Sequence, residues 1–481
     1  MNNHNLFFVN RQFSNISRSW LMIGVWSLAI AGFFSLVLVT ARTPGFCDMP
    51  FFMKLFREAL VVHVDLSVLV WFLSIACMFW NLVASDHAIN LRSSATQAAP
   101  LNGASPRFAR PQPNVFLSYL SRAAQLCFVA GMVLISLSPL DPKGQGVMSN
   151  YIPVITSPVF FIGLSLLLCG VGLMLTRLLT SKWENDIFSP PLRFGVFSSG
   201  IIALFAIFAF IWSFNLLPPQ IDGQQFYEIG FWGGGHVLQF VHTQILLVCW
   251  LLLAVALKPD FSLSKPLLYS LFSIGLITAL ATPLPYFLYE VTAQEYREFF
   301  TQGMIVAGGI APIILALFVI PVLWKSKAER KGANRALWAS LVMSVLLFLY
   351  GGFLAELIRG QNVVIPAHYH GSIVGVTLAF MGITYLMLPR FGYRDVAGWR
   401  MAFWQPLVYG FGQLMHISGL AYSGGYGGLQ RKTPCGGGVE LAPDIKVAMG
   451  FMGGGGVLAI IGGLMFVIVV ARAVYGRDAE P

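Results

Sequence analysis

Residues 20–41 and 266–288 are two apolar stretches without a single charged side chain. A run of about 18 or more such residues spans the hydrocarbon core of a bilayer as a helix, because only internal hydrogen bonding satisfies the backbone there. Comparable runs recur along the whole chain. Composition agrees: 57% of the 481 residues are hydrophobic and 10% are charged, where soluble domains carry roughly a quarter. A soluble enzyme, a nucleic-acid module and a disordered protein are excluded. The formal charge of +10 matters through its distribution among loops, not as a sign of a nucleic-acid partner.

Hydropathy marks twelve spans, near 19–41, 59–85, 116–138, 152–178, 194–217, 228–257, 266–288, 300–324, 335–358, 364–389, 401–422 and 446–473. With the N-terminus cytoplasmic, only Arg42, Lys54, Arg57, Lys143, Arg297, Arg359, Arg431, Lys432 and Lys446 of the 30 basic residues fall outside. That asymmetry matches the positive-inside rule, and one span more or fewer would scramble it. The expectation is an all-α integral membrane protein: a twelve-helix bundle with both termini cytoplasmic, a single membrane domain over 1–481, multi-pass in a bacterial-type inner membrane. The segment 1–17 is polar and the first apolar run is a full span, so no cleavable signal peptide is expected. The longest loop, near 86–115, is rich in Ala, Ser, Pro and Asn and reads as a cytoplasmic link. The six cysteines form no CxxC or CxxCH, which leaves no zinc site and no c-type haem attachment.

The histidines carry the chemistry. His4 and His87 lie in polar segments, while His63, His236, His242, His368, His370 and His416 lie in or at the apolar runs. Ionisable or metal-binding side chains inside a membrane are costly and mark function. In this topology His63, His236, His368, His370 and His416 share the outer layer, and His242 lies about 9 Å deeper than His236 on the same helix. His368 and His370 are two residues apart, so on a helix their rings point roughly 200° apart. They cannot hold one metal ion together, but they can serve two cofactors, one on each side of the helix. Imidazole suits iron, and two haems flanking span ten follow. A six-coordinate haem needs a second imidazole, and His63 lies at the right depth.

The run Pro366-Ala367-His368-Tyr369-His370-Gly371, followed by 381–389, resembles the tenth helix of the haem-copper oxidase catalytic subunit. The run Gln413-Leu414-Met415-His416-Ile417-Ser418-Gly419-Leu420 resembles its eleventh. His63 stands where that family places a low-spin haem ligand. Gly235-His236 resembles the Gly-His whose histidine binds copper, and Arg431-Lys432 resembles the arginine pair that holds haem propionates. Span ten is most similar to the cbb3-type branch. The resemblance implies a low-spin haem held by His63 and His370, a high-spin haem held by His368, and His416 near a haem edge. It implies an enzyme that reduces oxygen or nitric oxide. The chain contains no cupredoxin or cytochrome c motif, so electrons would come from another subunit, a c-type cytochrome or a cupredoxin.

The pattern breaks at the second metal. The family motif HHxFTxGM stands here as Arg297-Glu298-Phe299-Phe300-Thr301-Gln302-Gly303-Met304. His236 alone remains of three copper ligands, and an arginine cannot ligate. Glu298 offers a carboxylate, which favours iron over copper. The expectation is a second-metal position that is empty or holds non-haem iron through His236 and Glu298. Phe240 stands where some family members carry a tyrosine, with Tyr286, Tyr289 and Tyr296 as substitutes. Span eight lacks a lysine before its inner end, span six lacks the inner-side glutamate, and Asp65 and Glu356 are the membrane-buried acids to consider. The alternative to an enzyme is a haem-binding electron-transfer or gas-sensing membrane protein that has lost the copper site.

Overall fold

Prolines and serines set where the apolar runs become helices. Ser157 is extended, and its hydroxyl accepts from the Val159 amide at 3.2 Å. Pro158 then opens the helix at a position where its missing N–H costs nothing. Ser264 and Pro266 repeat the device, with Ser264 Oγ accepting from the Leu267 amide at 3.4 Å. The computed structural model describes residues 15–42, 50–84, 115–181, 187–327, 331–359, 362–425 and 442–476.

Fifteen α-helices follow in chain order among the described residues. The first seven are α1 (Asn15–Arg42), α2 (Pro50–Val64), α3 (Trp71–Val83), α4 (Val115–Leu137), α5 (Pro158–Thr180), α6 (Pro190–Leu216) and α7 (Gly223–Leu257). The other eight are α8 (Lys265–Leu280), α9 (Leu284–Leu288), α10 (Gln294–Met304), α11 (Ala311–Lys325), α12 (Arg335–Ala355), α13 (Val364–Met387), α14 (Arg400–Gly425) and α15 (Pro443–Tyr475). Two wider π turns, Asp65–Val70 and Ile305–Ile310, join α2 to α3 and α10 to α11 into continuous rods. Such insertions change which face the following residues present, and they recur at functional sites. One small antiparallel pair, β1 (Gly146–Val147) with β2 (Val154–Ile155), caps the end of the bundle between α4 and α5.

Eleven helices among the described residues are long and apolar enough to cross a bilayer, and the chain is a multi-pass membrane protein. They coincide with eleven of the expected spans. The fourth starts at Pro158, because 152–157 enter β2 and its turn. The eighth starts earlier, at Gln294, because the Arg297-Glu298 segment is already helical. The expected eleventh span is the 26-residue α14, which is not among the eleven. Gln405, Gln413, His416 and Ser418 dilute its hydropathy.

The most enclosed helices are α7 and α13, whose apolar windows are 94% and 83% buried. The helices pack mainly as pairs, α4 with α5, α6 with α7, α12 with α13 and α14 with α15. Trp71 and Phe72 of α3 meet Phe380 of α13, and Phe72 sits edge-on to His242 of α7. Trp250 Nε1 donates to Ser344 Oγ at 2.8 Å, and Ser344 donates to the Gly375 carbonyl at 2.6 Å. That chain ties α7, α12 and α13 together; α7 carries His236 and His242, and α13 carries His368 and His370.

Candidate functional site

The histidines of α2, α13 and α14 share one construction. His63 Nδ1 lies 3.0 Å from the Ala31 carbonyl of α1. His368 Nδ1 lies 2.7 Å from the Gly351 carbonyl of α12. His370 Nδ1 lies 2.8 Å from Pro366 O, one turn back on its own helix. His416 Nδ1 lies 3.1 Å from the Met452 carbonyl of α15. A carbonyl only accepts, so each Nδ1 carries the proton and each Nε2 carries the lone pair. Metal-bound imidazoles are oriented in this way, with one nitrogen donating to a fixed acceptor.

Close helix approach makes the bonds of His368 and His416. A Cβ at Gly351 would fall 2.3 Å from the Ser372 amide nitrogen, and one at Gly371 would fall 2.6 Å from Gly351 Cα. The two glycines let α12 and α13 touch backbone to backbone, which brings the Gly351 carbonyl to His368. The α14–α15 crossing works alike: a Cβ at Gly455 would meet the His416 amide nitrogen at 2.5 Å.

On α13 the two histidine rings meet different helices. His368 is tied to α12, whereas the His370 ring faces His416 of α14, with centroids 5.5 Å apart and planes at 48°. Tyr369 stacks beside His370 at 5.0 Å. The bond of His368 to α12 has no mark in the sequence. His63 stands just before the π turn, and Asp65 is buried within that turn with Oδ2 lacking any hydrogen-bond partner.

The second-metal candidates on α7 and α10 are built otherwise. His236 Nδ1 lies 2.8 Å from Trp232 O, and its Nε2 lies 2.8 Å from the hydroxyl of Tyr151. Arg297 and Glu298 of α10 are exposed, and Glu298 Oε1 accepts from Gln294 Nε2 at 2.5 Å. No group of three or more His, Cys, Asp or Glu side chains suited to a metal occurs among the described residues. His242 is buried with neither ring nitrogen bonded. Arg431 and Lys432 lie outside the described residues. Of the substitute tyrosines, Tyr286 and Tyr296 are buried, share Ser213 Oγ at 2.8 and 2.9 Å, and lie 3.1 Å apart. Tyr289 is exposed. Sequence reasoning missed Tyr151, since nothing near it in the chain marks it as a partner of His236.

Comparison with known proteins follows these features. No protein-family model matches the chain. Among solved structures, the cryo-EM structure of a heme-copper terminal oxidase dimer superposes with a TM-score of 0.72 over 97% of this chain and 86% of that one, at 18% identity. The fold is therefore that of a heme-copper terminal oxidase. By sequence, the chain is 31% identical to the uncharacterized protein RP382 of Rickettsia prowazekii (strain Madrid E) over 96% of each chain, and it belongs to the same family as that protein. An uncharacterized protein of Aquifex aeolicus (strain VF5) is 28% identical over 79% of this chain and 86% of its own length.

Proposed function

We propose that the chain is a haem-bearing respiratory oxidoreductase subunit of the terminal-oxidase type, acting on oxygen or nitric oxide. Residues 1–481 would form a single twelve-span domain in a bacterial-type inner membrane, with α14 as the twelfth span and both termini cytoplasmic. Electrons would come from a separate subunit, a c-type cytochrome or a cupredoxin.

The observation that carries this reading is the repeated imidazole construction. His63, His368 and His370 each present a lone-pair Nε2 while Nδ1 is fixed to a main-chain carbonyl, which fits the donor set of haem iron. His63 and His370 would hold a low-spin haem and His368 a high-spin one, with His416, Arg431 and Lys432 at haem edges. A haem held by two imidazoles would supply single-electron transfer, and one held by a single imidazole would supply binding of a diatomic gas. The protein's part is to hold the rings still. The Gly351 carbonyl prevents His368 from turning, and the Ala31 carbonyl does the same for His63.

The second-metal position is read as empty or weakly held by iron, not copper. Copper in the family relies on three imidazoles, and His236 is here met by Tyr151 while Glu298 is exposed. That observation also favours a second reading, a haem protein for electron transfer or gas sensing without multi-electron turnover. Purified protein should contain two haems per chain and bind carbon monoxide when reduced, and His368→Ala should remove the carbon monoxide adduct while leaving the low-spin bands. Haem-free protein would overturn both readings. Rapid oxygen or nitric oxide consumption would select the enzyme, and a carbon monoxide adduct without turnover would select the sensor or carrier.

A further inference from the structure

The geometry points to Tyr151 as a residue that occupies the coordinating lone pair of His236 and thereby closes the second-metal position; this rests on the haem-protein reading above. Trp232 O, one turn before His236 on α7, is a pure acceptor at 2.8 Å, so Nδ1 must carry the proton. Nε2 is then the acceptor, and the Tyr151 hydroxyl 2.8 Å away donates to it. Both nitrogens of His236 are thus used inside the protein, and the lone pair a metal would need receives a phenolic proton.

The contact is built rather than incidental. Tyr151 sits in the connection between β1 and β2. Its neighbour Asn150 is held by Glu228 of α7, with the Asn150 amide donating to Oε2 at 2.9 Å, and Ser149 donates to the Ile152 carbonyl. The ring lies directly on Gly235, where a Cβ would fall 2.3 Å from Tyr151 Cγ. Any larger residue at 235 would push the phenol away from His236. Trp232 and Tyr151 flank the imidazole at centroid distances of 4.9 and 4.6 Å, and Phe300 lies 6.0 Å away. Trp232 and Phe300 supply no metal donor.

The function assigned to Tyr151 is therefore metal exclusion at His236, and the ligand class at stake is a soft-to-borderline cation such as Cu(I). A histidine at 151 would turn the same contact from a lone pair facing a proton donor into two facing lone pairs. Imidazole is shorter than phenol, so an ion with bonds of about 2.0 Å to each nitrogen could stand between them.

The test uses the full chain in detergent, stripped with a copper chelator, loaded with Cu(I) alone, desalted and analysed for copper and haem on the same samples. Wild type should retain no stoichiometric copper, Tyr151→His about one equivalent, and the double variant Tyr151→His with His236→Ala none. Copper retained by wild type and lost on His236→Ala would overturn the assignment, as would an unloaded Tyr151→His protein with an intact haem spectrum. Should Tyr151→His fail to fold, ¹⁵N-histidine resonances of wild type and Tyr151→Phe decide. The Nε2 signal of His236 should move from a hydrogen-bonded to an unbonded position, and an unmoved signal would refute the contact. The haem count on these samples judges the haem reading separately, since missing haem would sink that reading without altering the copper comparison.

Discussion

On α2, α13 and α14 each inner histidine sets Nδ1 against a main-chain carbonyl and turns its lone pair elsewhere. On α7 the same side chain is used in two other ways. His236 has both nitrogens bonded within the protein, and His242 has neither bonded. All six lie in a bundle of similar composition, so residue type alone does not separate them. The partners of the two ring nitrogens do. Where a neighbouring carbonyl fixes one nitrogen, the imidazole is prepared as a ligand. Where a phenol takes the other nitrogen, it is withdrawn from that role.

The largest expected effect breaks the comparison at its strongest point. His63→Ala and His370→Ala should each abolish the low-spin haem spectrum, because a bis-imidazole iron loses one of its two axial bonds. His236→Ala should leave that spectrum and the carbon monoxide adduct in place. Optical spectra of the three reduced proteins check this. Low-spin absorption that survives His63→Ala would move the ligand elsewhere.

A second prediction sharpens the role of helix approach. Gly371→Val places side-chain atoms against Gly351 Cα, where there is no room and the obstacle is backbone. Overpacking of this kind costs about 1–3 kcal/mol. It should also shift the Gly351 carbonyl from His368, so the carbon monoxide spectrum should change more than the low-spin bands. Gly352→Ala is the control, since its Cβ would meet nothing within 4 Å. Equal spectra and melting curves for the two variants would show that the crossing does not hold His368.

A smaller effect is expected at His242. Its ring is buried with both nitrogens unsatisfied, and exchanging an unsatisfied polar group for an apolar one is nearly neutral or stabilising, by about 1 kcal/mol. His242→Leu should melt at the same temperature as wild type or slightly higher, with unchanged haem bands. A clear loss would mean that the nitrogens hold something in the adjoining cavity of about 20 Å³, which Asp65, Gln239 and His242 line. That volume suits a single water.

Much of this division was legible in the chain, and the reasons for the rest are physical. Spans announce themselves through uninterrupted apolar runs, so eleven were placed to within a few residues. Only α14, diluted by Gln405, Gln413 and His416, falls short on hydropathy. That the rings of His368 and His370 point apart followed from helical rotation alone, and they meet α12 and α14 respectively. The carbonyl partners were invisible, because Ala31, Gly351 and Met452 come from other helices and every residue has a carbonyl. Tyr151 was invisible for a related reason: it reaches His236 across 85 positions of sequence, from a loop with no periodicity. The π turns at Asp65–Val70 and Ile305–Ile310 leave no compositional mark, and Glu298 read as a neighbour of His236 only through alignment with a motif.

The smallest effect concerns the loop that delivers Tyr151. Asp141 closes that loop: Oδ2 accepts from Ser157 Oγ at 2.6 Å and Oδ1 from the Lys143 amide at 3.0 Å. The Ser157 hydrogen bond, followed by the Lys143 amide, holds the Asp141 carboxyl below the usual carboxylate range. A carboxyl depressed in the folded state contributes stability that is fully present above its unfolded value of about 3.9 and is lost as pH falls through the lower folded value. Acid should therefore loosen the 141–157 loop only below roughly pH 4. The change should be modest, because Asp141 lies at the surface in contact with solvent. Asp141→Asn removes the titrating group, so its loop should be less protected at neutral pH and should lose the acid step. Amide hydrogen exchange of Gly144 and Thr156, corrected for intrinsic pH dependence, reads both quantities; their amides bond to Asp141 O and Gln145 O. Haem bands should not follow this step, since the carbonyls that orient His63, His368 and His370 do not titrate. An acid step of equal size in Asp141→Asn would assign it to another carboxylate, and low-spin bands that moved in parallel would erase the separation between the two histidine regions.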